Sequence, residues 1–167
     1  MQGAAPLVLL IVAAPFAISA AWSDLKFMII SNRLNIALAV AFVIAGPLVL
    51  PLGDYGLRLA VGVTALVVGF VLNMLGLVGG GDAKFAAAML PFVAPGDLGV
   101  FAVLFLVMLL AAFAAHRLCR ALPAFRNAVP DWKSWRSGEA FPMGLALAGA
   151  LLFYLAASAL SRTPIAV

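Results

Sequence analysis

The sequence predicts an all-α, polytopic integral membrane protein with about six transmembrane helices, the fourth of them short. Three observations predict it. Of 167 residues, 66% are hydrophobic and only 10% are charged, more apolar surface than a soluble domain of this size needs. Uncharged runs of about 20 residues recur along the chain, the length at which a helix crosses a ~30 Å hydrocarbon core. These runs are continuous rather than alternating, which argues against a closed β-barrel. The whole chain, 1–167, reads as a single transmembrane domain.

The elements follow in order. The first apolar segment is 4–22. Its Ile18-Ser19-Ala20-Ala21 resembles a leader-cleavage site, yet no Lys or Arg precedes the apolar run, so it reads as a retained helix. The second segment is 34–52 and the third is 57–78. Gly62 and Gly69, at i and i+7, mark a close packing face on the third. The fourth is 83–94, the fifth 98–119 and the sixth 141–160. Short connections after the second, third and fourth make those neighbours antiparallel. The loop 123–140 is the sizeable polar stretch. It sets Trp132 and Trp135 among Arg126, Lys133 and Arg136, the composition of a cytoplasmic or interfacial segment.

Charge tests the count. With the N-terminus outside and six crossings, the cytoplasmic loops hold Lys26, Arg33, Lys84, Arg117, Arg120, Arg126, Lys133 and Arg136. Arg58 and Arg162 stay outside. Most of the ten basic residues then lie on one face, as the positive-inside rule expects. Omitting the fourth segment would split Lys84 from the basic region 117–136, so that segment is expected to cross. It is short for a crossing, because about 12 helical residues span roughly 18 Å against ~30 Å of hydrocarbon. The glycine run before it is therefore expected to lie in a water-lined recess below the cytoplasmic surface. On this reading both termini lie outside and the glycine run faces the cytoplasm.

The net charge of +4 is spread over short loops and is no nucleic-acid footprint. The single cysteine, Cys119, excludes an internal disulfide and reads as a small buried residue. The single histidine, His116, beside Arg117 at a helix end, suits an interfacial role. No cofactor and no metal site is expected.

There are six acids. Asp54 and Asp97 fall near glycines in outer loops, where turn chemistry accounts for them. Asp131 and Glu139 sit in the polar loop. Asp24 and Asp82 remain, both at the cytoplasmic ends of apolar segments. An acid at a membrane edge is costly and marks a candidate site. Asp82 alone reads as a helix N-cap, and Asp24 alone as a juxtamembrane residue just past the first helix. A cap, however, does not need the three preceding glycines Gly79, Gly80 and Gly81. Two such carboxylates in low dielectric can share one proton. One then acts as base on a water while the other polarises a carbonyl. A helix N-terminus at Asp82 would favour its charge and make it the base.

These residues resemble a family. Gly79-Gly80-Gly81-Asp82-Ala83-Lys84-Phe85 resembles the G-x-G-D-x-K-L/F motif of type IV prepilin peptidases, a group of membrane aspartic proteases. Ser23-Asp24-Leu25-Lys26 followed by Ile30-Ser31-Asn32 resembles their first-aspartate region, where an Ile-Pro-Asn element follows. Phe141-Pro142-Met143-Gly144 resembles their Pro-Tyr-Gly stretch. Ser31 replaces the usual proline and Met143 the frequent tyrosine. The resemblance covers nearly the whole chain.

The resemblance implies that Asp24 and Asp82 are catalytic, and that Gly79, Gly80, Gly81 and Lys84 serve the substrate or its backbone. It implies cleavage of basic leaders from prepilin or pseudopilin precursors at the cytoplasmic face of a bacterial inner (cytoplasmic) membrane. The larger members' cysteine-bearing insertion is missing, so the chain is similar to the short tight-adherence (Flp-type) form. Lys84 or Arg33 would then be placed to meet an acid early in the mature pilin. A rival of another class is a transporter or assembly subunit that uses the two aspartates for protons or packing. The presenilin-like proteases share the second motif, but no Pro-Ala-Leu sequence occurs here.

Overall fold

A computed structural model describes residues 4–138 and 140–161; Glu139 and Arg162, named above, lie outside them. The described residues form seven α-helices with short 3₁₀ turns and no strand: α1 (Ala5–Phe27), α2 (Asn32–Val49), α3 (Leu52–Met74), α4 (Gly80–Met89), α5 (Leu98–Ala121), α6 (Pro123–Ala128) and α7 (Met143–Ser161). Five of them, α1, α2, α3, α5 and α7, are long and apolar enough to cross a membrane. The fourth segment is the short one. It is a ten-residue helix continued by a 3₁₀ turn over Leu90–Phe92, where Pro91 offers no N–H to extend the α-helical ladder.

Small residues bring the helices together. α1 turns Ala13, Ala17 and Ala20, all fully buried, toward α7, which answers with Ala146, Ala150 and Leu151. Spacing of i, i+4, i+7 puts the three alanines on one face, and the lack of bulk lets the backbones close up. α4 lies between α2, α3 and α7, so Ala83, Phe85, Ala87, Ala88 and Met89 are buried. Gly62 and Gly69 are where α3 meets it. A Cβ on Gly62 would lie 2.7 Å from Pro91 Cγ, and one on Gly69 would lie 3.1 Å from Ala83 Cβ. α3 and α5 present Val63, Val67, Phe70, Val103 and Leu110 outward, apolar surface suited to lipid.

Several boundaries differ from the sequence expectation. α1 runs past Trp22 to Phe27, so Asp24 lies within the last turn of the helix rather than beyond it. α3 begins at Leu52, not 57. Asp54 is in its first turn and accepts from Arg58 Nε at 3.0 Å, an i,i+4 pair with the acid toward the helix N-terminus; Asp54 is thus helical, not a loop residue. Arg58 Nη1 also donates to the carbonyl of Phe92 at 3.1 Å. α3 stops at Met74 because Gly76 takes φ +72°. Leu77 N–H then bonds to Leu72 O and Gly76 N–H to Asn73 O, a Schellman end. Asp97 accepts the Tyr154 hydroxyl at 2.7 Å, tying the start of α5 to α7.

The 123–140 region folds back on the bundle. Ser134 is fully buried and the 3₁₀ turn Lys133–Trp135 packs on α1. His116 is buried, with its ring stacked on Trp135 at 5.2 Å, and Trp135 stacks on Trp132 at 5.5 Å. The histidine is a packing partner for the loop. Cys119 is half-buried, not fully buried.

Candidate functional site

Asp24 is placed by the antiparallel contact of α1 with α7. Its carboxylate Oδ2 accepts the backbone N–H of Gly144, the second residue of α7, at 2.7 Å, and the residue is buried. The N–H is one of the orphan donors of a helix start, so an acid is well placed to take it. Only glycine leaves the room. A Cβ on Gly144 would lie 2.9 Å from Asp24 Cβ, 3.0 Å from Oδ2 and 3.0 Å from Ile30 Cδ1.

Asp82 is placed by the glycine run. Asn73 Nδ2 donates to Val78 O at 2.8 Å and holds the loop that leads into it. Gly79 is the N-cap of α4, so Asp82 is the third helical residue, in the first turn and not itself the cap. The carboxylate folds back over the start of its own helix, and a Cβ on Gly79 would lie 2.7 Å from Asp82 Oδ2. A Cβ on Gly81 would lie 3.2 Å from Ile30 O. Gly79 and Gly81 thus make room for this chain's own carboxylate and backbone. Gly80 lies over Asn73 with ordinary clearance.

Ile30 packs beside the backbone that carries each acid's neighbouring glycine. Its side chain meets Gly144 and its backbone meets Gly81. The glycine that holds Asp24 and the glycine that precedes Asp82 thus lie against one residue. The turn carrying Ile30 is held by Ser23 Oγ donating to Ile29 O at 2.7 Å, and Met28 takes a left-handed φ of 56° there. Ser31, in the place of the motif proline, is the N-cap of α2 and accepts from Leu34 N.

Asp82 also lines a groove of about 630 Å³ that runs along α3 and over α4 toward α5 and α7. Thr64, Val68, Leu72, Phe105 and Leu147 are among its walls, and Asp82 is the one charged residue lining it. Lys84 is not part of this groove. Its Nζ donates to Asn32 Oδ1 at 3.0 Å, and it lines a second groove on the α2 side of α4.

Residues 11–116, well over half of the chain, match the model of the type IV leader peptidase family. The chain belongs to the type IV leader peptidase family. The match takes in Asp24, Gly79–Asp82 and Lys84 and ends before α7. No curated protein and no solved structure matches the chain. In this member of the family Asp82 and Val78, at the head of the glycine turn, line the apolar groove, and Asp24 is not among its walls.

Sequence reading missed Asn35. It is buried in α2, and its Nδ2 donates to Gly81 O at 3.3 Å, joining α2 to the glycine turn. The signal for it was an amide inside an apolar run, one turn after Ser31-Asn32. Gly144 was visible as part of a motif, but its bond to Asp24 was not.

Proposed function

We propose that the chain is an aspartic leader endopeptidase that cleaves basic leaders from type IV, Flp-like prepilins or pseudopilins at the cytoplasmic membrane face. The observation that carries the reading is that Ile30 packs against both Gly144, whose N–H holds Asp24, and Gly81, the neighbour of Asp82, which itself lines an apolar groove. The precursor's apolar segment lies along that groove from the bilayer, and its leader junction reaches the acids. Lys26, Arg33, Lys84 and the basic residues of 117–136 share the helix ends that carry both aspartates, which supports a cytoplasmic orientation.

One carboxylate takes a proton from water as the water oxygen attacks the scissile carbonyl carbon. The other carboxyl gives its proton to the carbonyl oxygen. The tetrahedral diol then collapses: the second carboxylate takes back a hydroxyl proton as the C=O re-forms, the C–N bond breaks, and the first carboxyl protonates the leaving amine. The sequence assigned the base to Asp82 because of its helix N-terminus. Asp24 meets a helix N-terminus too, through Gly144, so that criterion does not separate them. The roles belong to the pair.

The test is coexpression of a candidate prepilin with wild type, Asp24→Asn or Asp82→Asn, with membrane insertion checked for each. Loss of processing in both inserted variants is expected. Processing by either inserted variant at the wild-type rate overturns the reading, and a transport or assembly defect with intact processing favours the non-enzymatic alternative.

A further inference from the structure

The second groove has no part in the proposed chemistry. α2 and α3 meet through Tyr55, which stacks on Phe42 and donates to the carbonyl of Val43 at 3.3 Å, and both also pack on α4. Between them lies an opening of about 510 Å³ with Ala39, Val43, Val63, Leu66 and Ala88 among its walls. It is apolar along its length and polar at one end, where Asn32, Asn35 and Lys84 line it.

That end is cationic. Lys84 is exposed, its hydrogen bond goes to Asn32 Oδ1, and among the described residues the one ion pair is Arg58 with Asp54. α2 begins there, and while Ser31 takes up the N–H groups of Leu34 and Asn35, those of Asn32 and Arg33 at the helix start are left for an anion. Arg33 is exposed one residue further on. α4 stands between this groove and the one that contains Asp82, so a precursor seated at Asp82 leaves it free.

We infer that this groove binds an acidic phospholipid, with the phosphate at Lys84 and the α2 N-terminus and an acyl chain between α2 and α3. The surrounding bilayer supplies molecules with one anionic end and an apolar tail. A basic pocket between transmembrane helices selects the acidic ones. The site is independent of the peptidase reading, because lipid retention is measured without cleavage.

The probe is an equal mixture of phosphatidylglycerol and phosphatidylcholine in vesicles. The full chain is reconstituted, re-extracted in mild detergent, and the retained lipid is identified by native mass spectrometry. Wild type is expected to keep phosphatidylglycerol in preference to phosphatidylcholine. Lys84→Gln lowers that preference about fivefold, Lys84→Arg keeps it, and Val63→Trp, which fills the groove from an exposed position, loses retained lipid of both kinds. Absence of any preference in wild type, an unchanged preference in Lys84→Gln, or displacement of the lipid by added precursor overturns the proposal. Should Lys84→Gln fail to fold, Val63→Trp decides alone: undiminished retention contradicts the site.

Discussion

The backbone N–H of Gly144 donates to Asp24 Oδ2 at 2.7 Å, joining the start of the last helix to the end of the first. The two residues are 120 positions apart in sequence. The bond fixes which way the carboxylate points, and the missing side chain of Gly144 is what lets the two helices close to that distance.

Gly144→Ala is therefore expected to move Asp24. The new methyl would meet both the Cβ and the carboxylate of the aspartate, and neither backbone can yield without separating α1 from α7. A catalytic group displaced by about 1 Å loses on the order of 100-fold in rate. Overpacking costs a further ~1–3 kcal/mol of stability. Precursor cleavage kinetics and thermal unfolding in detergent check the two effects together.

Gly79→Ala separates activity from stability. The atom that its methyl meets at 2.7 Å is the free end of the Asp82 side chain, which can swing aside. Folding is expected to change by no more than about 1 kcal/mol, the scale of an N-cap exchange. The rate of cleavage falls by one to two orders of magnitude, roughly, because the carboxylate is re-aimed. Wild-type kcat in a well-inserted Gly79→Ala protein would show that this orientation of Asp82 is not the working one.

Val68→Trp tests the groove. Val68 is exposed on α3 and lines the opening that contains Asp82. Filling that space removes binding common to ground and transition states, so KM is expected to rise about tenfold with kcat little changed. A drop in kcat at constant KM would place the substrate's apolar segment elsewhere.

The turn between the first two helices stores local strain. Met28 holds φ 56° at the end of α1, a conformation that costs a side-chain-bearing residue about 1–2 kcal/mol. Met28→Gly relieves it, offset by glycine's greater unfolded-state entropy, for a net gain of up to about 1 kcal/mol. Ser31→Ala removes the cap that follows and costs about 1 kcal/mol. Thermal unfolding of both variants reads the two signs.

The long helices were legible because hydropathy and length alone dictate them in a bilayer. Where charge entered, the boundaries slipped. The Asp54–Arg58 pair belongs to α3 because an acid near a helix start and a base one turn later support the helix, although hydropathy alone starts it only after the acid. The shortness of the fourth segment was legible too, from the length of its apolar run against the thickness of the hydrocarbon core. The glycine run showed that close approach was needed, but not of what. The partners of Gly79 and Gly81 are Asp82 and Ile30, and contacts of this kind depend on how α1, α2 and α4 converge. The Asn35–Gly81 and Gly144–Asp24 bonds were hidden for the same reason.

The central claim is that Asp24 and Asp82 act as one unit on one water. Single-turnover cleavage of a purified precursor by Asp24→Asn, Asp82→Asn and the double variant measures it most directly. Groups that work as a unit give non-additive losses, so each single variant is predicted to fall to the same residual rate as the double one. Losses that add in free energy, or one single variant that cleaves at the wild-type rate, would contradict the dyad.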